Sequence, residues 1–399
     1  MRVLPLAMVD DINAISVCGI PSLETNSYIN AMIELKKLEF HTPDAAGKSK
    51  CHKMHIGKPN LFCPTLKVHG TDMETVTEDD YLGDTITSDG KNKKNIEKRL
   101  AKGQGIITQI LNILESISFG QFYIEIALLL RESLFLNSIL NNIETWYGMT
   151  NAEYDALEEL DRILLRRILR APHSTPKEAL YLELGLIPIH AIIKSKRVKY
   201  LHYLLSKSKN EMLGQFFWAQ WYNPCKDDWT KTVKTDLSDL ELDCNLENIK
   251  RTSKSVFKAM VKEKTREYSF KVLIKLKISH SKLSNIHYSE LATQKYCLSG
   301  FDIESIRTVF KFRTRMLPFA ENFPGSTQSK LDSHCPLCQA HTDSQFLLVH
   351  CPVMIKEFGK QLGAISDIYT EICNESIMKL TAKVYSFRSK VIREKNVSA

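Results

Sequence analysis

The sequence predicts a mainly α-helical chain with a short mixed α/β segment at its N-terminus. Three observations carry that expectation. Residues 3 to 17 hold two paired apolar runs; apolar residues recur at intervals of three and four from Lys91 onward; and helix-start signals stand at Thr150 and at Thr175-Pro176. At 399 residues, 43 % hydrophobic and 25 % charged, the chain is long enough for two or three domains and ordinary in composition for a folded, soluble protein.

The two runs between Val3 and Val17 are separated by Asp10-Asp11, the pattern of a β-hairpin with acids at its turn. Asn26 to Phe40 places Ile29, Ile33, Leu35 and Leu38 at helical spacing, and short strands are expected around Lys53 to Gly57 and Thr65 to Val68. Tyr81 to Gly90 reads as a strand and a turn, closed by the Asp89-Gly90 breaker. Then the period changes: Ile96, Leu100, Gly103, Ile107, Ile110 and Leu114 mark an amphipathic helix, and the chain reads as helical to about residue 290. Phe122 to Leu140 is the most apolar stretch. Glu125, Arg131 and Glu132 interrupt it, which excludes a membrane span of about 20 apolar residues and leaves a buried helix. Thr150-Asn151-Ala152-Glu153 is a capping box, with Asp155, Glu158 and Glu159 following and Arg162, Arg166, Arg167 and Arg170 later, so a helix should run to Arg170, before Pro172. Further helices are expected after Thr175-Pro176, with the proline in the first turn, and over Ile189 to Leu205. The acid-rich segment Pro224 to Asn248 is read as a boundary between two helical subdomains, and Pro318 to Lys330 as a linker. The aromatics Phe216, Phe217, Trp218, Trp221 and Trp229 are read as helix-packing residues.

The formal net charge is +8, and Arg251 to Lys282, with ten Lys/Arg against Glu263 and Glu267, carries an excess as large as that of the whole chain. A second basic block, Lys91 to Lys102, holds Lys91, Lys93, Lys94, Lys98, Arg99 and Lys102 against Glu97. Local fields of this kind hold phosphates, so RNA or DNA is the expected partner and a membrane is not. The ten cysteines are scattered and no apolar leader follows a basic start, which argues against a secreted disulfide scaffold and for a reducing, intracellular compartment, nuclear or cytoplasmic.

Two motifs point to metal chemistry. Adjacent carboxylates at a hairpin turn are costly unless a cation sits beside them, and polymerases use such acids to hold the two divalent ions of nucleotidyl transfer. Near the C-terminus, Cys335-x2-Cys338 sets two thiols on one tight turn, followed by His341, His350 and Cys351.

The order of features resembles one known family. Met8-Val9-Asp10-Asp11 resembles the (Tyr/Phe)-x-Asp-Asp motif of reverse transcriptases, with Met in the usual aromatic place. Lys48 to Gly57 resembles the Lys-containing palm strand that follows it, and Tyr81-Leu82-Gly83-Asp84 through Gly90 resembles the primer-grip element of non-LTR, LINE-type retrotransposon enzymes. Asn95 to Arg99, Trp146 to Thr150, Leu165 to Leu169, Leu180 to Gly185 and Val309 to Met316 are similar to later segments of the same family, so the resemblance covers nearly the full chain.

That resemblance implies a palm remnant over residues 1–90, a helical thumb and connector over 91–225, a basic helical region over 226–317, a zinc-knuckle-like module over 318–360 and a basic helical tail over 361–399. It implies an RNA-directed DNA polymerase whose Asp10 and Asp11 are catalytic and bind Mg²⁺. The family's third metal-binding Asp and its fingers lie upstream of the hairpin, and this chain begins ten residues before Asp11, so both acids are expected to be vestigial and the chain to lack polymerase activity alone. What it would retain is a grip on template, primer or target. The residues expected to contact nucleic acid are Lys94, Lys98, Arg99, Lys102, Arg162, Arg166, Arg170, Lys254, Lys258, Lys262, Arg266, Lys311, Arg313 and Arg315. A Zn²⁺ ion is expected on Cys335, Cys338, His341 and Cys351, with His350 the alternative to His341 and Phe346 near the place where the family has a histidine.

Overall fold

The computed structural model describes residues 3–8, 11–16, 52–56, 67–68, 71–81, 83–116, 120–224, 228–298, 301–323, 334–359, 362, 365 and 374–397. The chain divides into two units, Met1–Lys98 and Arg99–Ala399.

In the first unit, strands β1 (Val3–Met8) and β2 (Asp11–Ser16) pair antiparallel from Val3 opposite Ser16 to Met8 opposite Asp11. Asp11 therefore opens the second strand; Asp10 and the helix expected over Asn26 to Phe40 lie outside the described residues. Strands β3 (His52–Lys53), β4 (Lys67–Val68), β5 (Thr71–Asp72) and β6 (Glu74–Thr75) are two residues long, β3 pairing in parallel with β6 and β4 antiparallel with β5. Strands β7 (Glu78–Tyr81) and β8 (Asp84–Thr87) form a hairpin, and the turn after it is fixed by the Asp89 carboxylate, which accepts from the Thr87 hydroxyl at 2.7 Å and the Lys91 N–H at 3.0 Å. Helix α1 (Lys93–Ser116) begins against this hairpin, with the Asn95 amide donating to Asp84 at 3.0 Å.

The second unit is helical. Ile107, Ile110 and Leu114 of α1 are buried, as their spacing predicts. Helix α2 (Tyr123–Leu130) runs on through a π-turn over Arg131–Leu136, and Arg131 is buried there against Asp161 with Nε–H and Nη2–H donating at 2.7 and 2.6 Å. Helix α3 (Asn151–Leu169) starts at the expected box: the Thr150 hydroxyl accepts from the Glu153 N–H, and the Glu153 carboxylate accepts from the Thr150 N–H. It ends at Arg170, in the left-handed conformation at φ 46°. Helices α4 (Lys177–Leu184) and α5 (Ile189–Leu205) follow, and Pro176 stands one place before α4 rather than inside its first turn.

Helices α6 (Met212–Tyr222), α7 (Trp229–Asp239), α8 (Leu246–Arg251) and α9 (Lys254–Ile278) close one core with α5, built on Leu201, Phe217, Trp229, Leu237, Phe257 and Val261. Full burial of such side chains stabilises by about 1.5–3 kcal/mol each before the entropy of ordering them is subtracted. Where the acid-rich composition suggests a boundary, the chain instead forms α7 and α8 and packs them into this core. Val233, Leu237 and Ile249 supply the apolar contacts, and the acid Asp236 is buried with them because it accepts from Arg197 Nε–H at 2.6 Å and Lys194 Nζ at 3.1 Å, both on α5. Phe217 and Trp229 are buried packing residues as expected, whereas Phe216 is exposed.

The C-terminal end of α4 is a junction. Glu183 is fully buried and its carboxylate accepts from Tyr288 Oη at 2.5 Å, Tyr296 Oη at 2.7 Å and Arg313 Nε–H at 3.0 Å, the last from helix α10 (Ile303–Arg313). Beside it, Leu184 bridges antiparallel to Thr293, and Gly185 holds φ 64°. A Cβ at Gly185 would lie 2.2 Å from the Thr293 nitrogen and 2.4 Å from the Ala292 carbonyl carbon. Helices α11 (Pro352–Phe358) and α12 (Glu375–Val397) complete the unit. Gly185→Ala is expected to combine a left-handed penalty of ~1 kcal/mol with a backbone clash of ~1–3 kcal/mol, lowering the urea-unfolding free energy by about 2–4 kcal/mol. An unchanged midpoint would contradict this account.

Candidate metal centre and basic surface

Three thiols converge in the segment between α10 and α11. A β-bridge between His334 and Thr342 closes a small loop, in which the Cys335 N–H donates to the His341 carbonyl at 2.7 Å and the Gln339 N–H to the Cys335 carbonyl at 2.9 Å. Gln339 turns the chain at φ 54°, the left-handed conformation such a turn needs. Cys351 arrives from a helical turn, Leu347–His350, and starts α11. The Sγ atoms of Cys335, Cys338 and Cys351 all lie within 4.8 Å of one another. Tetrahedral coordination with a metal–sulfur bond of about 2.3 Å requires sulfurs roughly 3.8 Å apart, so the three thiols fit one ion after a small contraction.

Their surroundings suit thiolates. Burial works to raise the Cys338 thiol, but backbone N–H groups of Ala340 and His341 and the neighbouring thiols outweigh it, so its pKa falls below the usual value. Burial pushes Cys351 up to about 11 despite the N–H groups of Met354 and Val353 that point at its sulfur. Neither histidine brings a ring nitrogen within 4.8 Å of all three thiols. His341 is exposed, so the geometry gathers three of the four expected ligands and leaves this one apart. The His350 ring stacks on Phe346 with centroids 3.9 Å apart, and its Nε2 is buried without a hydrogen-bond partner.

The module is tied to its neighbours by buried polar side chains. Gln345 is fully buried, its amide N–H donating to the Phe312 carbonyl at 2.9 Å and its amide oxygen accepting from Asn322 at 2.7 Å. Asp343 accepts two hydrogen bonds from Arg388 of α12, at 2.7 and 2.9 Å. Nothing in the sequence marks Gln345, Asp343 or Arg388 for this role, since no local pattern announces a partner 45 residues away.

The basic residues separate into two groups. Arg99 is buried, donating to the Ser138 carbonyl at 2.8 Å with its guanidinium 5.7 Å from the Trp146 ring centroid. Arg162 and Arg166 share Glu159 at 2.7 and 2.8 Å, Arg162 also reaches Glu158 at 3.2 Å, and Arg170 pairs with Glu304 at 2.9 Å. Arg313 is committed to Glu183. For buried Arg99, Arg162 and Arg313, the expectation of a surface contact is therefore corrected: their donors point into the protein. Lys311 is half-buried, and burial lowers its pKa. Arg315, also half-buried, stands at φ 52°. In the first unit, Lys94 lies 3.7 Å from Glu78, and Lys98, 2.6 Å from Asp80, holds that carboxyl below its usual range with help from the Thr85 hydroxyl.

Lys102, Lys254, Lys258, Lys262 and Arg266 remain exposed. Arg266 donates to the Leu291 carbonyl. Among the described residues, Lys254, Lys258 and Lys262 have no carboxylate within 4.0 Å, and their spacing of four places them on one stripe of α9. Across from its first turns stand Lys196, Lys199, Tyr200 and Tyr203 of α5, which sequence reasoning passed over because they read as ordinary helix positions.

No protein-family model, curated protein or solved structure matches the chain. No described helix is long and apolar enough to cross a membrane. If the three thiols hold an ion, elemental analysis after dialysis should find metal in the purified chain, lost in Cys351→Ser and retained in His341→Ala. Equal metal content in wild type and Cys351→Ser would remove the site.

Proposed function

We propose that this chain is the C-terminal part of a LINE-type reverse transcriptase and that it grips nucleic acid rather than carrying out polymerisation by itself. The observation that carries the reading is the unpaired lysine stripe on α9. Lysines left exposed at every fourth residue without carboxylates have an unopposed field, and a polyanion releases its counterions on meeting it. The hairpin whose second strand opens at Asp11, the β7–β8 hairpin leading into α1, and the later thiol cluster follow one another in the family's order, which supports the assignment to a retrotransposon enzyme.

In this reading the ion of the thiol cluster is Zn²⁺, which favours thiolate ligands and tetrahedral geometry without redox chemistry of its own. Cys335, Cys338 and Cys351 would hold it, and its role would be to fix the fold of the module rather than to activate a substrate.

The triple variant Lys254→Glu/Lys258→Glu/Lys262→Glu is expected to weaken binding of a labelled RNA or DNA by at least about tenfold at moderate salt. It should also flatten the dependence of log K on log salt by roughly 2 to 3, since each lost phosphate contact removes about 0.7–0.9 of slope. Fluorescence anisotropy across a salt series measures both. Wild-type affinity and slope in this variant would defeat the proposal.

A further inference from the structure

The first turns of α9 and the middle of α5 enclose a cleft of about 440 Å³, lined by Lys196, Lys199, Lys254, Lys258, Tyr200 and Tyr203, with His202 and Phe257 behind them. Four lysines line this space, and Glu144 is the carboxylate among its lining residues. Lys196 donates to the Leu140 carbonyl at 2.9 Å, while Lys199, Lys254 and Lys258 make no ion pair among the described residues. Burial first, then the charges of Lys258, Lys196 and Lys262, make protonated Lys199 less stable than an ordinary lysine. A fold that gathers cations this way is relieved by an anion placed among them.

The ring pair adds a second chemistry. Tyr200 and Tyr203 stack with centroids 5.7 Å apart and planes 26° from parallel, and Trp229 supports Tyr200 edge-on at 5.8 Å. Tyr203 keeps 44 % of its surface exposed, and Lys207, paired with Glu211 at 3.4 Å, rests 5.1 Å from its centroid. An aromatic face recessed beside lysines suits an unstacked base joined to a phosphate. A duplex, whose bases are stacked and paired, cannot offer that face.

We propose that the cleft between α5 and α9 seats a single-stranded nucleic-acid segment, with Lys199, Lys254 and Lys258 on its phosphodiesters and one base on Tyr203. This rests on the nucleic-acid reading above and narrows it from polyanion to single strand. A free polyphosphate offers the same anionic chemistry, and the test separates the two sources.

Anisotropy with the full chain, a labelled single-stranded oligouridylate and a hairpin duplex of equal charge is the experiment. Tyr203→Ala is expected to lose about tenfold on the single strand and nothing on the duplex; Tyr203→Phe should bind as wild type; Lys199→Gln should lose about three- to tenfold on the single strand. Lys275→Gln, on the exposed far part of α9, serves as the unaffected control. Tyr203 is exposed enough for its truncation to leave the fold intact, which the melting temperature checks. If the α9 triple variant loses binding while Tyr203→Ala and Lys199→Gln bind the single strand as wild type, the cleft proposal falls and the nucleic-acid reading stands. If wild type binds neither oligonucleotide, both fall. If inorganic tripolyphosphate displaces the strand at equal phosphate concentration and Tyr203→Ala is silent, the cleft is an anion site without base recognition, and the single-strand proposal is overturned.

Discussion

The helical unit depends on what happens to Glu183. A carboxylate with no exposed surface costs several kcal/mol unless it is fully hydrogen-bonded and faces a cation, and here two tyrosine hydroxyls and the Arg313 guanidinium supply both. Those three partners come from chain segments more than a hundred residues downstream, so satisfying one buried charge fixes the end of α4 against the loop before α10 and against α10 itself. The Leu184–Thr293 bridge and the close backbone approach at Gly185 follow from the same docking.

A division of labour among the cations runs through the rest of the unit. Several arginines are drawn inward onto buried carboxylates: Arg131 on Asp161 and Arg197 on Asp236 each use Nε–H and Nη2–H as a planar fork, and Arg388 reaches both oxygens of Asp343 from Nη2 alone. Lys254, Lys258 and Lys262 of α9, on flexible stems with heavily hydrated heads, stay in solvent. The apolar packing of α9 on α5 decides which of its lysines stay exposed.

The thiol module is held by the same means. Gln345 and Asp343 connect it to the carbonyl of Phe312 and to α12, so the three cysteines are presented by a loop whose both sides are anchored. That anchoring brings Cys351 to Cys335 and Cys338 across a dozen intervening residues, and it leaves His341 on the outside, where the local spacing alone favoured it as a ligand.

By itself the sequence determined the local features. The hairpin around Asp11, the helix from Lys93, the capping box at Thr150, the helix over Ile189–Leu205 and the Cys-x2-Cys turn are legible because each is encoded within a few residues by apolar period, turn chemistry or a side chain that caps its own backbone. The tertiary structure alone decided which charges are used inside. Leu180 to Gly185 and Val309 to Met316 stood out as separate motifs, yet only packing joins Glu183 of one to Arg313 of the other and so withdraws that arginine from the surface. The acid-rich stretch after Pro224 carries the same lesson: its composition suggests a subdomain boundary, but Asp236 meets Arg197 in a buried pair that no local pattern announces. Whether a charge faces solvent or a partner depends on residues distant in sequence, and the energy of that choice exists only once they have been brought together.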